Sequence, residues 1–175
     1  ESELETARFI STVGARGARV YPTVVFRDTE LCNMTYDGSY TPLTLREAIE
    51  RSAAVLDIFI NSGVEVIRIG LQSSENLSDP TSYVAGPNHS ALGELVIGET
   101  YYLRILKMLS ENNISENDKI TILVSVGALS KAIGQNRRNK LRLMEKYKNI
   151  RFAELDGISA YEIQLDIKNG ETKCT

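Results

Sequence analysis

The chain has 175 residues, 42% of them hydrophobic and 25% charged, with a net charge of −3. This length suits one domain or two small ones with a buried core, and the charge gives no general attraction to nucleic acid or membranes. No apolar run approaches the roughly 18 residues of a membrane span, and the only cysteines are Cys32 and Cys174. We therefore expect a cytoplasmic protein without a disulfide framework, signal peptide or membrane contact.

The first elements in the chain are a helix and a strand. Ser2 and Glu5 form a capping-box pattern, which predicts a helix of about ten residues. The run 18–26 is rich in β-branched and aromatic residues and predicts one strand, with Pro22 near an end or an edge because proline has no N–H for the ladder. A short helix and a loop follow.

The most regular helical pattern begins at a second capping box. Thr44 and Glu47 start an amphipathic helix, and Gly63 suits its C-terminal stop. A short apolar strand over 64–70 follows at once. A helix followed directly by such a strand is the repeating unit of a parallel α/β sheet.

Beyond this strand the pattern becomes less regular. Residues 73–90 predict a long polar loop, and 91–112 a third amphipathic helix. The rest of the chain predicts a basic α+β module with these elements in order: a strand at 120–126, a broken helix at 129–148 interrupted near Gly134, a strand at 150–155, a hairpin turn at Asp156-Gly157, and an alternating strand at 161–168.

Several common enzyme classes lack their motifs here. There is no G-x-S-x-G, no P-loop and no G-x-G-x-x-G, and a hydrolase triad would need its base at His89, the only histidine. A purely structural or regulatory α/β module remains open.

Five short blocks carry a resemblance to one enzyme group. They cover residues 19–25, 29–31, 40–44, 66–72 and 86–96, and they resemble R-[IV]-Y-P-T-L-V, G-T-x-L, G-E-Y-x-P-L-T, V-I-R-I-G-L-Q and G-P-x-H-P-A-F-G-E-L-V. These motifs are typical of radical S-adenosylmethionine (SAM) enzymes similar to the elongator catalytic subunit and, more distantly, to oxygen-independent coproporphyrinogen oxidases. The departures are Asp28 for glycine, Ser90 for proline and Leu92 for phenylalanine.

The resemblance implies the last two strands of a partial (β/α) barrel. The C-x-x-x-C-x-x-C that ligates the iron–sulfur cluster is absent, and two cysteines are too few for a cluster. We expect the C-terminal half of a radical SAM enzyme that is inactive alone and holds no cofactor itself. The full-length enzyme would bind SAM and the cluster, and the missing N-terminal half would be the main partner. An isolated fragment would leave sheet edges uncovered and could form a homodimer.

Barrel active sites lie at the C-terminal ends of strands, which places Val25 and Phe26 at the mouth. By the resemblance, one wall of the SAM pocket is formed by Ile69, Gly70, Leu71 and Gln72. Residues on the substrate side would be Arg27, His89 and Glu94. The alternatives are a buried strand ending in a turn, a solvated histidine and a glutamate that only favours a helix N-terminus.

The segment 131–151 carries eight of the 20 lysines and arginines, opposed only by Glu145. It is similar to the helix–loop–helix of KH RNA-binding domains, whose x-A-I-G-x-x-G-x-N loop clamps the nucleic-acid backbone, although Arg137 replaces the second glycine. The alternative is a solvated helix face. Candidate nucleic-acid contacts are Lys131, Gln135, Arg137, Arg138 and Lys140.

The resulting domain hypothesis has three segments: a barrel segment at 1–74, a loop and long connecting helix at 75–112, and the basic module at 113–175. The function hypothesis is a fragment that forms part of the SAM and substrate pocket and acts on tRNA or another nucleic-acid-linked substrate. The alternative is a non-catalytic RNA-binding or structural α/β module.

Overall fold

The computed structural model describes residues 2–71 and 81–168. The chain divides into two compact units, Glu1–Val96 and Ile97–Thr175, and the boundary falls inside a long helix. The helices are α1 (Ser2–Thr12), α2 (Glu30–Tyr36), α3 (Leu45–Ser62), α4 (Leu92–Glu111), α5 (Leu129–Ile133) and α6 (Arg138–Met144), with a 3₁₀ turn at Gln135–Arg137. The strands are β1 (Gly17–Val20), β2 (Val25–Phe26), β3 (Glu65–Ile69), β4 (Tyr83–Ala85), β5 (Lys119–Val124), β6 (Asn149–Glu154) and β7 (Ile163–Lys168). The predicted mixed α/β class is confirmed.

In the first unit, two helices cover one face of a parallel strand pair. β1 and β3 run parallel, from the pair Gly17 and Glu65 to the pair Val20 and Ile69. The core beneath α1 and α3 contains Ala7, Val55, Phe59 and Val64, all of them buried. The predicted order of helix, strand, helix and parallel strand is confirmed.

Helix α3 has the ends that its sequence predicts. The Thr44 side chain accepts a hydrogen bond from the Glu47 N–H, and the Glu47 carboxylate accepts one from the Thr44 N–H at 2.8 Å. At the other end Gly63 adopts a left-handed φ of 73°, which a glycine reaches without steric cost. The apolar stripe between these ends is buried, so local pattern and tertiary packing agree here.

The prediction of one strand over 18–26 is wrong. The chain leaves the first sheet after Val20 and pairs again only at β2, which runs antiparallel to β4 in a second two-stranded sheet. Pro22 lies in this break, where its missing N–H interrupts no ladder and its ring restricts the preceding residue. The predicted loop at 73–90 is also partly wrong, because Tyr83–Ala85 is the strand that β2 requires; residues 73–80 of that loop lie outside the described part of the chain.

The close approach of β2 and β4 depends on one glycine. Gly86 has a φ of 103°, and a Cβ atom there would lie 2.6 Å from the Thr23 carbonyl oxygen. Any larger residue would push the two chain segments apart.

The second unit contains a three-stranded sheet in the order β6-β5-β7. β5 is parallel to β6 and antiparallel to β7. Helices cover the face that carries Ile120, Ile122 and Val124, each no more than 1% exposed. The predicted strands of this unit and the helix break near Gly134 are confirmed.

The hairpin predicted at Asp156-Gly157 is wrong. Gly157 does turn with a φ of 81°, but β6 and β7 flank β5 instead of pairing with each other. The connection 155–162 is too long for a two-residue hairpin and carries the chain past the end of β5. A turn signal shows where the chain bends but not which strand it pairs with next.

None of the helices in residues 2–71 and 81–168 combines the length and the apolar composition that crossing a bilayer requires.

Candidate functional site

The main candidate site is a cleft of about 520 Å³ in the first unit, where β3 ends and α4 begins. This volume lies within the range of small-molecule pockets. One wall comes from the end of β3 and the other from the start of α4. The lining residues are Arg68, Ile69, Leu71, Ser90, Ala91, Gly93 and Glu94.

Two glycines let these walls approach each other. Gly70 has a φ of 82°, and a Cβ atom there would lie 3.1 Å from Cδ2 of the buried Leu92. A Cβ on Gly93 would lie 3.4 Å from the Ile69 carbonyl oxygen. The Gly70 N–H also donates to the Val20 carbonyl oxygen at 2.9 Å, which ties the end of β3 to β1. The floor of the cleft is therefore formed by closely approaching backbone.

The structure places most of the predicted cofactor residues at this cleft. Ile69 and Leu71 line it, and Leu71 is 42% exposed. Gly70 is buried between them against Leu92. Gln72 lies outside the described residues. Their role in binding SAM stays a prediction.

The three predicted substrate-side residues occupy different positions. Glu94 lines the cleft from the first turn of α4. His89 is exposed, and its Nδ1 accepts a hydrogen bond from the Ala91 N–H at 3.1 Å, which shapes the turn into α4. The Arg27 guanidinium donates to the Thr81 carbonyl oxygen and, like His89, is not among the described residues that line the cleft.

Sequence reasoning missed four lining residues, namely Arg68, Ser90, Ala91 and Gly93. All four belong to the quoted blocks at 66–72 and 86–96, so a signal was present. What was lacking was the contact between the two blocks, which are separated by the 13 residues 73–85.

Val25 and Phe26, predicted at the mouth of a barrel, form β2. Val25 is fully buried in the pairing with β4, so it supports the fold.

A second candidate site is the basic turn, defined here as residues 131–140 with α5, the 3₁₀ turn and the start of α6. Lys131, Gln135, Arg137 and Arg138 are exposed and Lys140 is half-buried. Among the described residues none of these four cations forms an ion pair. The turn thus carries cations that the fold leaves free.

One neighbouring arginine has a structural role instead. The Arg142 guanidinium binds the Glu99 carboxylate through two hydrogen bonds, of 2.6 and 3.2 Å. It also lies 3.5 Å from the centroid of the Tyr102 ring. Although burial acts in the opposite direction, the Glu99 carboxylate raises the pKa of Arg142 above its ordinary value. Glu99 is only 6% exposed, so Arg142 neutralises a buried carboxylate while its own side chain stays partly exposed.

The described part of the chain contains no candidate metal site. No group of three or more His, Cys, Asp or Glu side chains there could hold a metal ion, and Cys32 is buried in α2. The residues present therefore do not fit an iron–sulfur cluster. The cleft, in contrast, offers two apolar side chains, Ile69 and Leu71, together with the polar residues Arg68, Ser90 and Glu94.

A parallel strand pair under two helices, with a cleft at the carboxyl end of a strand, defines a domain of the α/β class. Comparison with known families specifies it further: residues 15–102 match the Radical_SAM C-terminal domain family. This chain belongs to that family, and it carries the C-terminal part of a radical SAM protein. Family membership implies SAM and an iron–sulfur cluster in the complete enzyme. No curated protein matches the chain, and no solved structure does.

Proposed function

We propose that this chain forms one wall of the SAM and substrate pocket of a radical SAM enzyme. The observation that carries the proposal is the cleft at the end of β3, which lies within the family match and combines apolar side chains with a close backbone. SAM, when bound, would supply the radical chemistry of the complete enzyme. The residues of this chain would hold the adenine against Ile69 and Leu71 and exclude water from it.

The open face of the β1–β3 sheet supports the proposal that another part of the enzyme packs against it. Val64 and Val66 face α1 and α3, whereas Ile67 points the other way and is 60% exposed. The Ile67 side chain lies over Gly17, where a Cβ atom would meet Ile67 Cδ1 at 2.9 Å. We infer that the other strands of a partial barrel, on the N-terminal half of the enzyme, cover this face. In their absence the chain should self-associate, and a monodisperse monomer in sedimentation velocity would contradict this.

We further propose that the parent enzyme is similar to the elongator catalytic subunit and acts on tRNA or another nucleic-acid-linked substrate. The blocks at 19–25, 66–72 and 86–96 support it. The second candidate, a non-catalytic RNA-binding module with a KH-like second unit, is favoured by the free cations of the basic turn.

SAM binding by the complete, cluster-loaded parent protein tests the pocket. Leu71 is 42% exposed and would be covered by the bound ligand. Leu71→Asp should therefore weaken SAM binding roughly ten-fold in equilibrium dialysis, since covering an apolar side chain contributes on the order of 1.5 kcal/mol. Leu141→Asp is the matched control, because Leu141 is 58% exposed in the second unit. Equal SAM affinity of both variants and the parent would refute the pocket.

A further inference from the structure

We propose that the basic turn binds the phosphates of single-stranded RNA through the side chains of Arg137 and Arg138, with Lys131 alongside. The turn lies in the second unit, beyond the end of the family match at residue 102. The inference therefore does not depend on the proposed pocket; it deepens the second candidate function by naming the ligand and the residues that bind it.

The charge balance of the turn is the first support. In a protein with a net charge of −3, the segment 131–151 holds eight cations against Glu145 alone. Arg142 is occupied by the buried Glu99, whereas Lys131, Arg137 and Arg138 are exposed and form no ion pair with described residues. A local concentration of free cations raises the potential that attracts phosphate, even on an acidic protein.

The buried side chain of Asn139 holds the backbone of the basic turn in place. Asn139 is 2% exposed, and its side-chain amide donates to the carbonyl oxygens of Gly98 at 2.7 Å and Ala132 at 3.1 Å. It fills the space beside Gly134, where a Cβ atom would lie 2.9 Å from the Asn139 Cγ. A ligand would therefore meet arginines whose backbone is already ordered, which lowers the entropic cost of binding.

The backbone conformation of Arg137 also supports phosphate binding at this turn. Arg137 has a φ of 61° and follows Asn136 at 52°, so two consecutive residues adopt the left-handed conformation. Asparagine tolerates this conformation, whereas arginine does so at a steric cost. The Arg137 side chain is exposed and forms no ion pair with a described residue, and backbone strain of this kind is common at ligand-binding positions.

The contact must come from the guanidinium groups. The N–H of Arg137 already donates to the Gly134 carbonyl oxygen at 2.9 Å, and the N–H of Arg138 donates to that of Gln135. Guanidinium groups bind phosphate with two parallel hydrogen bonds. Three cations on one short turn reach only a few phosphates, and a flexible single strand can present successive phosphates to them where a duplex holds them fixed.

The test is fluorescence anisotropy of a labelled single-stranded RNA with the complete chain at about 50 mM and about 200 mM salt. Three phosphate contacts predict a slope of log K against log salt of about −2, hence a roughly twenty-fold loss of affinity between these conditions. Arg137→Gly together with Arg138→Gln should weaken binding at low salt at least ten-fold. The glycine retains the left-handed backbone, so unfolding cannot explain that loss.

The matched control is Lys119→Gln with Lys168→Gln, which removes two exposed cations at the end of β5 opposite to α5. It should leave RNA binding unchanged within about two-fold. Absence of binding at low salt would overturn the inference, as would equal losses in the two double variants, because net charge alone would then explain binding. Vesicles containing phosphatidylserine serve as a second ligand, and binding to them without binding to RNA would also overturn it.

Discussion

The two units cover their sheets in different ways. In the first unit, helices α1 and α3 lie on one face of the β1–β3 sheet, while the other face leaves Ile67 60% exposed. In the second unit, the strand β5 at the centre of the sheet has Ile122 and Val124 fully buried beneath helices. The helix-covered face of the second sheet is thus fully buried, whereas the open face of the first sheet exposes the apolar side chain of Ile67. Parallel strands are usually covered on both faces, so this open face is a candidate packing surface.

The largest expected effect tests this contrast directly. Ile122→Ala removes a fully buried side chain and should lower the free energy of unfolding of the second unit by about 3 kcal/mol. Ile67→Ala, the same change on the open face, should cost no more than about 0.5 kcal/mol in the isolated chain. Urea unfolding with hydrogen exchange of β5 and β3 measures both. Similar losses would mean that the two sheets are covered alike.

The next effect concerns the buried ion pair of the second unit. Arg142→Met leaves the Glu99 carboxylate buried without its partner and should destabilise the unit by about 3 kcal/mol. Arg138→Met, an exposed change on the same helix, should cost less than about 0.5 kcal/mol. The double variant with Glu99→Gln should recover part of the loss, because the uncompensated charge is gone. Thermal or urea denaturation measures all four proteins, and no recovery would argue against a charge effect.

A smaller effect on stability is expected at two strained turns, one in each unit. Arg137→Gly should stabilise the chain by about 0.5–1 kcal/mol, because glycine adopts a φ of 61° freely. Asp28, at a φ of 57°, occupies a position where the similar enzymes carry glycine, and Asp28→Gly should give a smaller gain because aspartate tolerates this region better. Arg138→Gly, at a φ of −54°, is the control and should be destabilising. Loss of stability in the first two variants would show that these backbones are not strained.

The smallest effect is a pH dependence confined to the first unit. Glu3 binds Arg51 at 2.5 Å, and this hydrogen bond lowers the pKa of Glu3 from 4.5 to about 2. A carboxyl with a depressed folded pKa stabilises the fold above its unfolded pKa, and this contribution disappears as the pH falls from 4.5 towards 2. The pair is partly exposed, so its contribution is about 0.5 kcal/mol.

The measurement for this pair is the urea midpoint of the parent chain and of Glu3→Gln. The parent should be the more stable protein near neutral pH, and the difference should vanish near pH 2. A difference that persists at low pH would assign the effect to packing.

Much of the fold was predictable from local pattern. The capping box of α3, its Gly63 stop and the break of the helix at Gly134 each follow from one or two residues with strong local preferences. The strand β3 follows from the apolar run at 64–70. The candidate site was predictable in part, since Ile69, Leu71 and Glu94 line one cleft. Their assignment to a site came from a motif resemblance and not from hydrophobic periodicity.

The errors have a common physical cause. The pattern of a strand predicts its backbone, but it contains little information about the partner strand. The run 18–26 therefore looked like one strand although it serves two sheets, and β7 looked like the second arm of a hairpin although it pairs with β5. In the same way, no local signal placed Arg68 beside Ser90 across the cleft.

The sequence by itself determined the helices with their caps, the mixed α/β class, the shortage of cluster ligands and the basic segment, because these depend on residue type and near neighbours. Only the tertiary structure decided which strands pair and that two sequence blocks form one cleft. It also decided that Arg142 is bound to Glu99, while Arg137 and Arg138 form no ion pair with the residues that the structure describes. Those properties depend on contacts between residues far apart in the chain. Their energies become available only once the sheets and helices have packed.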